Sequence, residues 1–114
     1  MNKAVSKFNS LKHYKWGNDC DGWNFVDEEN LSIKQERMPA GTSEELHYHS
    51  KAEQFFFILK GIASFEIEVK EQEGLHIKAG LKHRIINNTT EDLEFILYSQ
   101  PSTKNDRINV PPAL

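Results

Sequence analysis

His47 and His49 stand one residue apart within the run Gly41 to Gly61, GTSEELHYHSKAEQFFFILKG. Strand side chains alternate between faces, so both imidazoles point the same way and can reach one point in space. Imidazole is the commonest protein ligand for metal ions and suits Zn, Fe, Cu and Ni, so the pair raises a metal site. Alone the pair is weak evidence, because two surface histidines at this spacing arise by chance. Its surroundings strengthen it. Glu53 and Gln54 follow at the head of an apolar run, and His83 opens another extended stretch after the glycine turn at Gly80, placed to offer a third imidazole. No other chemistry competes: there is no Gly-x-Ser-x-Gly, no phosphate loop and no cysteine set against a histidine. Glu36 can serve as acid or base only if it points inward, and an exposed strand glutamate is the commoner arrangement. His76 reads as solvated or locally paired, and Asp106-Arg107 as a surface ion pair.

The elements that must position these residues are short strands. Met1 to Ser10 is polar and mixed, an arm or short edge strand. A turn-rich segment, Gly17 to Gly22, leads into Trp23-Asn24-Phe25-Val26. Trp16 and Trp23 are expected to pack against the barrel or a second subunit. Leu31 to Met38 reads as a strand with Leu31, Ile33, Gln35 and Arg37 on one face and Ser32, Lys34, Glu36 and Met38 on the other. Pro39-Ala40-Gly41 ends it. Gln54 to Lys60 is apolar at every position from Phe55 to Leu59, which implies cover on both faces. Ile62 to Val69 alternates cleanly and reads as one half-buried strand. Leu75-His76-Ile77, Lys82 to Asn88, Leu93 to Tyr98 and Arg107 to Val110 complete the count. No apolar pattern at i, i+3, i+4, i+7 persists long enough for a helix. Many short strands punctuated by turns argue for an all-β antiparallel sandwich or barrel.

With these residues in order, the sequence resembles the cupin family. Its first motif, a glycine, five residues, His-x-His, three or four residues, Glu, six residues and Gly, is met by Gly41, His47, His49, Gln54 and Gly61. The latter part of its second motif is met by Gly80, His83 and Asn87, while the early proline of that motif is missing, with Lys78 and Ala79 in its place. The resemblance implies a double-stranded β-helix, or jelly-roll cupin barrel, over 31–99. It places 1–30 as an N-terminal arm with edge strands and 100–114 as a C-terminal tail, all in one cupin domain. It also implies His47, His49, Gln54 and His83 as ligands of one divalent transition metal (Fe, Mn, Ni or Zn). Where the family carries glutamate, this chain has Gln54 counted back from Gly61, or Glu53 counted from His49. The glycine turn fixes register and favours Gln54. A neutral amide there leaves the site one charge more positive. The interior is expected to be lined by these four residues with Phe56, Phe65 and Ile85.

Length and composition set the remaining bounds. The 114 residues fit one domain. A net charge of -3 with both signs mixed gives no basic stripe for nucleic acid or an anionic membrane. The single cysteine, Cys20, allows no internal disulfide, and no leader pattern opens the chain, so a cytoplasmic setting is expected. The longest apolar run is far too short to span a bilayer as a helix. Three functions are compatible: a metal-dependent enzyme on a small organic molecule, of oxygenase, isomerase, epimerase or lyase type; a small-molecule or sugar-binding module without turnover; and an interaction protein. A homodimer is expected in each, since apolar outer faces and early tryptophans call for cover.

Overall fold

The computed structural model describes residues 3–112. Ten strands follow in chain order: β1 (Lys12–Trp16), β2 (Cys20–Asp27), β3 (Ser32–Met38), β4 (His47–His49), β5 (Glu53–Lys60), β6 (Ala63–Ser64), β7 (Glu68–Val69), β8 (Gly74–Ile77), β9 (Leu93–Gln100) and β10 (Arg107–Asn109). The described residues contain no helix, and so none able to cross a membrane. One layer is a six-stranded sheet in the order β1-β2-β3-β9-β5-β8, antiparallel at every pairing. The second layer is stitched from smaller pieces. The β10-β4 pair is joined to the β6-β7 pair through the extended segment 82–88, by the isolated bridges His47↔His83, Ser43↔Ile86 and Ser64↔Ile86. The result is the expected all-β jelly roll.

The core lies between the layers. Met38, Phe56, Ile58, Leu93, Phe95 and Leu97 come from the large sheet, and Ala63, Val69 and Ile85 from the small one. Alternation along β3 places Ser32 and Met38 inside at 1% and 0% exposure, so Lys34 and Glu36, of the same parity, also face inward. Gly61 closes β5 at φ +89°, and a Cβ there would lie 2.7 Å from the Asp92 carbonyl oxygen. Only glycine supports both that dihedral and that approach, which fixes where the apolar strand ends.

Three expectations are corrected. Ile62–Val69 is not one strand: the chain doubles back at 65–67, and Ala63 pairs with Val69 and Ser64 with Glu68. Both pairs join residues of equal parity, so the alternation survives the turn and the sequence cannot reveal it. Lys82–Asn88 is extended but held by single bridges rather than a continuous ladder. The outer face of β5 is only partly covered. Phe55 is 40% exposed and lies over Gly74, where a Cβ would sit 2.3 Å from its ring. At the N-terminus, Lys3–Ser10 carries no strand; Met1 and Asn2 lie outside the described residues.

Candidate metal centre

Strand β4 is paired on both sides, with β10 along one edge and with His83 along the other. His47 and His83 exchange both backbone hydrogen bonds, at 3.0 and 2.8 Å. Directly opposed strand residues face the same way, so these two imidazoles meet, with ring centroids 4.3 Å apart. Strand parity adds His49, and its centroid lies 5.0 Å from that of His47. All three are buried, at 2%, 4% and 6% exposure. One ligand atom from each falls within 4.8 Å of the others.

Each Nδ1 is already engaged. His47 donates to the Glu45 carbonyl at 2.8 Å, His83 to the Leu81 carbonyl at 2.8 Å, and His49 to the Asp106 carbonyl at 2.9 Å. A donating Nδ1–H leaves the Nε2 lone pair free, which is the tautomer that binds a metal. Burial above all holds the imidazoles neutral: it lowers His47 to about 3 and pulls His49 and His83 down as well.

Gln54, 4% exposed, joins the cluster from β5. Its Nε2 donates to Ser99 Oγ at 3.0 Å, and its Oε1 stands 3.2 Å from His83 Nε2. With His83 already donating from Nδ1, two lone pairs face one another there. A cation accepting both lone pairs would resolve the opposition. In its absence the Ser99 hydroxyl, able to donate or accept, permits the amide to turn and donate instead. Glu53 points to the opposite face, is exposed, and lies 3.7 Å from His76. His76 is thus the locally paired surface histidine expected of it.

Beside the histidines lies a cavity of about 280 Å³, walled by Tyr14, Trp16, Phe56 and Leu97 together with Lys34, Glu36, Glu44 and Arg107. Glu36 therefore points inward, contrary to the solvent-facing expectation. Tyr14 donates to Glu36 Oε2 at 2.5 Å. The residue between them is Gly22, the register partner of both Tyr14 on β1 and Glu36 on β3. A Cβ on Gly22 would come within 2.0 Å of Tyr14 Cζ. The missing side chain is what lets the phenol cross β2. Burial raises the carboxyl of Glu36, and burial followed by the Glu36 charge raises the phenol of Tyr14. Glu44 accepts from the Ile85 amide at 3.1 Å and sits 3.6 Å from Arg107. Burial pushes its carboxyl up to about 8.

The expected Asp106-Arg107 surface pair does not form. Neighbours on β10 and its approach point in opposite directions, so Arg107 turns to Glu44 while Asp106 is buried. Of the expected apolar lining, Phe56 holds its place. Phe65 and His83 instead border a second cleft of about 490 Å³, and Ile85 is fully buried in the core. Asn87 lines nothing: its side chain ties Met38, Pro39 and Glu91 carbonyls together and accepts from Thr89. Tyr14, Glu44 and Arg107 were not legible as site residues. For Glu36 the signal was its parity with Met38 and Ser32, blurred by Leu31 and Ile33 on the other face.

Three neutral imidazoles and an amide oxygen form a donor set suited to a divalent transition metal, without selecting one. The fold and this cluster define an all-β double-stranded β-helix protein with a buried tri-histidine group. The cupin domain profile matches residues 34–98, more than half of the chain, and the chain belongs to the cupin family. A search of curated proteins finds no match. Among solved structures, the polyketide cyclase RemF from Streptomyces resistomycificus is 15% identical with a TM-score of 0.77, covering 99% of this chain and 88% of its own. An uncharacterised double-stranded β-helix protein from Klebsiella pneumoniae is 12% identical with a TM-score of 0.79, covering 98% and 100%. A predicted oxalate decarboxylase from Thermotoga maritima is 16% identical with a TM-score of 0.75, covering 88% and 100%. At these identities the likeness shows the fold alone.

Proposed function

We propose that the protein is a metal-dependent enzyme acting on a small organic molecule, with His47, His49, His83 and Gln54 holding one divalent transition metal (Fe, Mn, Ni or Zn). The observation that carries this reading is the trio of buried imidazoles, each with Nδ1 committed to a backbone carbonyl and Nε2 free. When bound, such an ion supplies a Lewis acid or an oxygen-activating centre, which suits an oxygenase, isomerase, epimerase or lyase. The chain's own groups supply the rest. Tyr14 and Glu36 hold a proton at the cavity wall, within a hydrogen bond that can pass it to or from a substrate atom. Lys34 and Arg107 offer cations to an anionic substrate oxygen, and Trp16, Phe56 and Leu97 cover its apolar part and exclude water. A cavity near 280 Å³ suits a compact substrate.

Two of the structural neighbours carry enzyme names with different chemistries, which supports catalysis in general and no reaction in particular. A second reading, a binding module for a small molecule or sugar without turnover, draws on Tyr14 and Trp16, whose rings can stack on a ligand. Either reading includes a cytoplasmic homodimer, supported by the free thiol of Cys20 and by the exposed Phe8 and Leu11; light scattering at micromolar concentration measures the oligomer. Metal analysis of tag-free protein tests the metal claim: a stoichiometric ion is expected, and its loss in His47→Ala. No ion as purified and none taken up from Fe, Mn, Ni or Zn would end this reading. Oxygen uptake with candidate substrates then separates an oxygenase from the other classes.

A further inference from the structure

Two of the three histidine tautomers are set locally and the third is not. His47 and His83 each donate Nδ1–H to the carbonyl two residues before them, Glu45 and Leu81. The equivalent carbonyl for His49 belongs to His47, and the His83 amide already occupies it at 2.8 Å. His49 instead uses the Asp106 carbonyl, 57 residues away in the tail. That carbonyl is held in place by the same residue's side chain. The Asp106 carboxylate accepts from Ser50 N at 3.0 Å, Ser50 Oγ at 2.6 Å, Lys51 N at 3.0 Å and Ala52 N at 2.9 Å. One tail residue thus clamps the turn that follows His49 and sets the tautomer of His49 itself. The remaining tail contacts run along the same strand: Arg107 registers with His49, Ile108 with Tyr48 and Asn109 with His47, and the Val110 amide donates to the Leu46 carbonyl.

We infer that Asp106 is a positioning residue for the metal centre and that the tail from Asp106 to Val110 acts as a clamp whose docking and metal binding reinforce each other. This rests on the metal reading above. The linkage is reciprocal: whatever the docked tail adds to metal affinity, the metal returns as protection of the tail. Partners that orient a ligating histidine typically change metal affinity 10–100-fold, and Asp106→Ala is expected to weaken Co²⁺ or Zn²⁺ binding by about that factor.

The experiment uses the full chain with Co²⁺ as probe, read by its visible absorption, and ¹⁵N spectra of the histidine rings. In Asp106→Ala, His49 is expected to lose its pure Nδ1–H form while His47 and His83 keep theirs, a split that general loosening of the fold does not produce. Adding Co²⁺ or Zn²⁺ to the wild type is expected to slow amide hydrogen exchange at Ile108 and Val110, the β10-side amides that face β4. Should Asp106→Ala fail to melt cooperatively, Ser50→Ala, which removes only the 2.6 Å hydrogen bond, decides the matter by a smaller loss in the same direction. Wild type that binds metal, with unchanged affinity and unchanged His49 tautomer in the variant that folds, overturns the clamp. Wild type that binds no metal overturns the reading beneath it.

Discussion

Gly22→Ala tests the Tyr14–Gly22–Glu36 row directly. The new Cβ would lie 2.0 Å from Tyr14 Cζ, 2.3 Å from Cε2 and 2.4 Å from the hydroxyl. These atoms are the far end of a side chain, so the phenol swings aside rather than the backbone, and what is lost is its hydrogen bond to Glu36. A hydrogen bond to a charged group contributes about 1.5–3 kcal/mol, and the inward-facing carboxylate is left without its donor. At roughly 4 °C per kcal/mol for a domain of this size, Tm falls by about 6–12 °C. Thermal melts followed by near-ultraviolet circular dichroism measure both the loss and the displaced tyrosine. In a Tyr14→Ala background there is no ring to displace, so adding Gly22→Ala is expected to cost less than about 1 kcal/mol; the difference is the coupling within the row. A Gly22→Ala protein that melts within about 2 °C of wild type, or an equal cost in both backgrounds, refutes the reasoning.

Gln54→Glu places a carboxylate where the amide oxygen faces His83 Nε2 at 3.2 Å, so divalent metal binding is expected to tighten about tenfold or more, roughly 1.4 kcal/mol per decade. The same change is expected to lower the Tm of the metal-free protein, because the buried charge then has no cation; titration calorimetry showing unchanged affinity removes Gln54 from the ligand set. The histidines fix an acid-side pH dependence. Their folded pKa values lie below the unfolded value of 6.5, with His47 near 3. Below 6.5 the unfolded chain therefore binds more protons, and the metal-free protein loses stability as pH falls. The slope reaches up to about 1.4 kcal/mol per pH unit for each histidine; urea midpoints that stay flat between pH 6.5 and 5 contradict it. Glu44 has the opposite sign: its carboxyl, raised by burial to about 8, adds stability below its unfolded value that is lost as pH rises through 8. Glu44→Gln should remove this slope, which runs from the unfolded value up to about 8 and shows most plainly between pH 6.5 and 8 where the histidines no longer titrate; an unchanged slope there would assign it to other groups.

The period-two strands, the glycines that end them and the His-x-His parity are legible in the sequence, because they depend on neighbours along the chain. Motif spacing brought His83 and Gln54 to the same centre, since Gly61 and Gly80 fix where strands stop and therefore which residue faces in. What lay beyond reach depended on contacts between distant segments. The turn inside Ile62–Val69 preserved alternation and stayed invisible. The inward face of β3 could not be chosen while apolar residues sat on both sides, so Glu36 went unassigned, and with it Tyr14, whose reach depends on the absent side chain of Gly22 on the strand between. Asp106 read as a surface acid because its partners are the backbone amides of Ser50, Lys51 and Ala52. A backbone donor has no residue identity, and no pattern of letters records where it lies; that the tail holds the third histidine follows from the packing of segments 57 residues apart.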